Sequence, residues 1–147
     1  MRRFALPRIA MGVAFYPIFH DRPADWPDDM NGKCLARAAD RLDKAAKKAK
    51  AGSIYSFYSM TREQYIGEAL GGDPDDPTSF SESDVAAITW HEPEEGLRVI
   101  RAMLTYVRHD GREIDDLDCV REDLEAFERH LEAAACRGAK WFLCIDA

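Results

Sequence analysis

At 147 residues, with 46% hydrophobic and 32% charged residues, the chain has enough apolar material for one domain with its own core, which excludes a disordered segment. Its formal charge of −7 is unevenly spread: residues 1–50 hold 11 Lys/Arg against 6 Asp/Glu, and residues 51–147 hold 9 against 21. So acidic a remainder argues against non-specific nucleic-acid binding, which needs Lys and Arg against phosphate, and no apolar run approaches the ~20 residues of a membrane helix.

In chain order, Arg2-Arg3 looks like the start of a leader, but Pro7 and Arg8 interrupt any apolar core. Met11-Gly12 could be a second start, which would leave residues 1–10 as a loose arm on a single domain spanning 1–147. Ala10 to Phe19 is rich in β-formers and predicts a first strand, with Pro17 pointing to an edge position or a bulge because it lacks a backbone donor. His20 to Gly32 is a loop broken by Pro23, Pro27 and Asn31-Gly32, and Trp26 lies inside it, where a tryptophan usually packs back onto the core as a plug. Lys33 to Lys50 repeats Leu and Ala at three- and four-residue steps, which predicts a helix stopped at Gly52. Ser53 to Tyr58 reads as a short strand or a connector.

Thr61-Arg62-Glu63-Gln64 fits a capping box and predicts a short helix to Leu70. Asp73, Asp75 and Asp76 follow in a turn-rich loop without the glycine and glutamate of a calcium loop, so it reads as a solvated acidic loop. Ser81 or Ser83 is expected to cap a helical turn running to Ile88. The best helix start in the chain is Trp90-His91-Glu92-Pro93-Glu94-Glu95. Proline fits the first turn, and the glutamates complement the positive helix end. That helix runs to Asp110-Gly111. Asp116 to Arg137 predicts the longest helix, with Leu117, Val120, Leu124, Phe127, Leu131 and Ala134 as its seam. After Gly138, Ala139 to Asp146 is apolar on both alternating faces, which suits a doubly covered strand. The fold expected is α+β: a small sheet containing the N- and C-terminal strands, packed against about four helices.

Catalytic signatures such as a phosphate loop, a dinucleotide fingerprint or a zinc-protease motif are missing. The candidates for acid–base or metal chemistry are His20-Asp21, at the end of the first strand, and His91-Glu92, at the helix start. They need folding to bring them together. His109 and His130 read as solvated. Cys34, Cys119, Cys136 and Cys144 form no Cys-x-x-Cys pair, so free thiols in a reducing cytosol are expected, with no metal or cofactor and a cytoplasmic location. Cys34 opens a helix, where a thiol could become a nucleophile with His20 as its base; a buried core thiol is the plainer reading. Trp26 and Trp90, with Glu94 and Glu95, are candidates for an interaction surface, since aromatics anchor interfaces.

Met11-Gly12-Val13-Ala14-Phe15-Tyr16 is similar to the opening of the YfbM-like family, and Asp123-Leu124 through Arg137-Gly138-Ala139-Lys140-Trp141-Phe142-Leu143 resembles that family's closing helix, glycine and strand. The resemblance implies a small bacterial α+β domain and carries over no catalytic residue. Two functions are expected from different classes: an interaction module that binds a basic protein partner, of the toxin-immunity kind, or a small hydrolase or metal-dependent enzyme using His20, Asp21, His91 and Glu92.

Overall fold

The computed structural model describes residues 12–22, 26 and 30–146; the arm over residues 1–10 and the predicted start of the first strand at Ala10 lie outside them. The fold is α+β. Strand β1 (Ala14–Phe19) and strand β2 (Trp141–Asp146) pair antiparallel, Phe15 opposite Ile145 and Phe19 opposite Trp141. Around them stand α1 (Lys33–Lys48), α2 (Arg62–Gln64, widening into a π-helical turn over Tyr65–Ala69), α3 (Pro93–Asp110) and α4 (Leu117–Arg137).

Pro17 sits inside β1 without breaking it. The His20 N–H donates to the Lys140 carbonyl, whereas the Phe15 N–H points away from β2 and donates to the Gly32 carbonyl. Residues two apart on a strand point the same way. Pro17 shares parity with Phe15, so its donorless nitrogen faces away from β2 and no ladder bond is lost. Strand β2 is the inner one. On its other edge, Leu143 forms a bridge with Tyr58 and Trp141 with His91. Ile54–Phe57 itself is a 3₁₀ turn, so only Tyr58 and Ser59 touch the sheet.

Phe15, Phe19, Trp141, Leu143 and Ile145 face the main core with Leu35, Leu42, Ile100, Leu104, Leu124, Phe127 and Leu131 from the helices. The predicted seam of α4 is buried at Val120, Leu124, Phe127, Leu131 and Ala134. The opposite face of β2 carries Phe142 and Cys144. Trp90 covers Phe142 with ring centroids 5.2 Å apart, and Gln64 reaches the Ile145 carbonyl at 3.1 Å. The capping box at Thr61 and Gln64 is formed in both directions. It fixes the turn that brings Gln64 to the strand.

Burial pushes the Cys144 thiol up, and burial first, then its hydrogen bond with Cys144, does the same to the Tyr16 hydroxyl. Cys136 is exposed. Iodoacetamide at neutral pH is therefore expected to modify Cys136 at least about tenfold faster than Cys144, which becomes equally reactive only on unfolding. Peptide mass spectrometry against time reads this directly, and equal rates in the folded protein would contradict it.

Three expectations are corrected. Helix α1 ends two residues early because Lys50 adopts the left-handed conformation (φ 59) and Ala51 N–H closes back onto the Ala46 carbonyl, so the stop precedes Gly52. The turn after Ser81 is only Glu82–Asp84, with no regular structure from there to Trp90. The cysteines are not all free: Cys34 and Cys119 form a disulfide, Cα atoms 5.9 Å apart, between α1 and α4. Closing a loop of 85 residues stabilises by about 4.5 kcal/mol in the chain-entropy account.

One buried carboxylate organises the exit of α1. Asp43 is 2% exposed; it accepts from the Ile54 N–H and the Ser53 hydroxyl, both at 2.7 Å, and lies 3.4 Å from Lys47 Nζ. Asp43→Ala strips the partner from a buried backbone donor, and the expected cost is about 3 kcal/mol in urea unfolding. Asp43→Asn keeps an acceptor and is expected to cost less than half of that.

Candidate interaction surface

The mouth of α3 is held by its neighbours. The His91 N–H donates to the Trp141 carbonyl at 2.8 Å, and the Trp141 N–H returns to the His91 carbonyl at 3.0 Å. The Trp141 indole N–H then donates to the Glu92 carbonyl at 3.2 Å. Pro93 takes the first helical position and is buried, leaving Glu92, Glu94 and Glu95 exposed around the positive helix end. Glu92 lies 3.6 Å from Lys140, whereas no side chain among the described residues pairs with Glu94 or Glu95.

His91 and Trp141, directly opposite one another, share a face: His91 packs edge-on against Phe57, which in turn packs on Trp141. Trp90, one residue earlier, lies on the other face with Phe142. There it meets His20 edge-on, centroids 5.1 Å apart. Strand alternation thus puts the His20 and His91 side chains on opposite sides of the sheet. His20 and Asp21 are exposed. They line a surface hollow of about 490 Å³ with Trp90, Arg137 and Lys140. No three of His20, Asp21, His91 and Glu92 bring donor atoms together as metal ligands would. Among the described residues the one such group is Cys34, Cys119 and Asp123.

Of the two places open to Trp26, a plug on the core or an interaction surface, the structure takes the first. Trp26 is 8% exposed, and its indole N–H donates to His130 Nδ1 at 2.8 Å, with Phe19 packed against it. Burial removes its face from any partner and equally corrects the solvated reading of His130, which is 6% exposed. Cys34 is likewise no free nucleophile, since its sulfur is bonded to Cys119.

From Ala86 to Trp90, no hydrogen bond among the described residues reaches the backbone, although Ala86, Ala87 and Thr89 are exposed and Ile88 and Trp90 half-buried. Asp84 precedes this open stretch and Glu92, Glu94 and Glu95 follow it. Glu82, just before, pairs with Arg62. The sequence marked Glu92, Glu94, Glu95 and Trp90 but neither Asp84 nor the open backbone between them, because the predicted helical turn to Ile88 would have closed it. Among the described residues no helix is long and apolar enough to cross a membrane. No protein-family model matches this chain, and neither a curated protein nor a solved structure does.

Proposed function

We propose that this chain is a protein-interaction module that receives a basic segment of a partner protein along residues 84–95. The observation that carries the reading is the backbone of residues 86–90, which has no hydrogen bond among the described residues, is exposed at Ala86, Ala87 and Thr89, and is bracketed by carboxylates. An added strand can supply the missing hydrogen bonds, and its Lys and Arg side chains would find Asp84, Glu94 and Glu95. The acidic balance of residues 51–147 supports the same partner chemistry. A role as the immunity partner of a basic toxin, in a cytoplasmic bacterial protein with YfbM-like ends, is the finer form of this proposal. The alternative, a hydrolase or metal enzyme built on His20, Asp21, His91 and Glu92, draws less support because the sheet parts the two histidines.

The test is binding of extended peptides alternating Lys/Arg with Val/Ile, followed by fluorescence anisotropy and by amide shifts of residues 86–90. Binding should weaken steeply with salt and fall at least about tenfold in the double variant Glu94→Lys, Glu95→Lys. Binding that ignores salt and the reversed charges, or amide shifts confined to another face, overturns it. The finer form is tested by co-expression with a toxin encoded by a neighbouring gene: relief of killing that disappears in the same double variant.

A further inference from the structure

Away from that surface, the geometry points to the Cys34–Cys119 bond as a thiol–disulfide exchange site, in which Cys119 Sγ is attacked by an external thiol of the glutathione or protein-dithiol class and Cys34 leaves as the thiolate. The two sulfurs are not equivalent. Cys34 is 7% exposed and stands in the first turn of α1, whereas Cys119, in the first turn of α4, is partly exposed. Attack is therefore directed to Cys119.

The leaving sulfur is the one prepared for charge. Both sulfurs stand at a positive helix end, and what separates them is the guanidinium: Arg37 Nη2 lies 3.1 Å from Cys34 Sγ. That contact lowers the energy of a Cys34 thiolate and makes it the better leaving group. Asp123, 5% exposed, opposes that contact with its own charge, but it is anchored by the Leu35 N–H at 3.0 Å, which also holds the start of α1 against α4. Arg37 lies 3.6 Å from Asp116, and the two help to wall an open hollow of about 300 Å³.

The exchange balances with a dithiol as reductant. Its first thiolate forms a bond to Cys119 Sγ while the Sγ–Sγ bond breaks and its electron pair stays on Cys34. The second thiolate then attacks the reductant's own sulfur in the mixed disulfide and releases Cys119. Two electrons pass to the protein, the reductant leaves as a disulfide, and its two protons end on the two cysteines or in solvent. With two glutathiones, the second plays the resolving part.

The deciding measurement is the thiol–disulfide equilibrium of the otherwise unaltered chain carrying Cys136→Ser, held in glutathione buffers and quenched with acid. Substantial reduction by a few millimolar glutathione, with the far-UV spectrum of the folded state retained, is the expected result. Arg37→Gln should shift the equilibrium about five- to tenfold toward the disulfide. Oxidised glutathione should form a mixed disulfide at Cys119 in the Cys34→Ser variant, and none at Cys34 in the Cys119→Ser variant. A disulfide that yields only on unfolding overturns the inference and leaves a structural staple. So does an Arg37→Gln equilibrium equal to that of the parent, or equal capture at either cysteine.

Discussion

Gly32→Ala is expected to cost about 4 kcal/mol or more and to lower Tm by roughly 8–16 °C, the largest effect expected of alanine at any of this chain's glycines. A Cβ there would stand 2.0 Å from the Phe15 carbonyl oxygen and 2.8 Å from its carbonyl carbon. Those are backbone atoms of β1, and they cannot swing aside as a side chain can. Gly32 also has φ +74, and its carbonyl accepts from both Phe15 and Ala36, which ties the strand to the first turn of α1. Conformational strain alone would contribute about 1–2 kcal/mol. Gly32→Asn separates the two causes, because asparagine tolerates the left-handed region but still carries the clashing Cβ. It should be as damaging as alanine in thermal and urea unfolding, and a mild Asn variant would show that the clash is relieved.

The second large effect has a sign opposite to simple propensity. Gly96 lies within α3, where glycine to alanine ordinarily gains up to about 1 kcal/mol. Here Gly96→Ala is expected to lose about 3 kcal/mol. The added Cβ would lie 2.2 Å from Trp141 Cζ2 and 2.8 Å from Cε2, with Leu131 Cδ1 at 3.1 Å. Trp141 is fully buried and cannot retreat: its backbone is bridged to His91 and its indole N–H is committed to Glu92. In a Trp141→Phe background, where the six-membered ring of the indole is gone, the Gly96→Ala penalty should shrink by at least about 1 kcal/mol. Equal penalties in both backgrounds would show that the tryptophan is not what excludes the methyl group.

These two glycines show what kind of information the chain carries locally. Gly32 was readable as a turn residue after Asn31, and Gly96 as nothing more than a weak helix position. Neither reading contains the neighbour that makes the residue necessary, because Phe15 and Trp141 arrive from elsewhere in the chain. The candidate surface divides in the same way. Pro93 at the first turn, the exposed Glu94 and Glu95, and the aromatic at Trp90 were legible from spacing alone. The placement of His91 was not. Its face is set by pairing with Trp141, 50 positions later in the numbering, and one step of strand alternation separates it from Trp90 and His20. Trp26 and His130, and Cys34 and Cys119, are pairs of the same sort, 104 and 85 residues apart. Nothing in the residues around either partner announces the other.

By itself, then, the sequence determined whatever depends on neighbours within a few residues. Those features are the capping box of Thr61 and Gln64, the proline-led start of α3, the apolar seam of α4, and the mix of helical and strand patterns that makes the chain α+β. Periodicity, capping and propensity act over one or two turns, and the side chains concerned need no distant partner to express them. Tertiary structure alone decided which cysteines join, that Trp26 is buried against His130, and why Gly96 has no room for a methyl group. It also decided that the two candidate histidines face away from each other across the sheet. Each of these is a contact between residues far apart in the chain, chosen by how the helices and the strand pair close around one core.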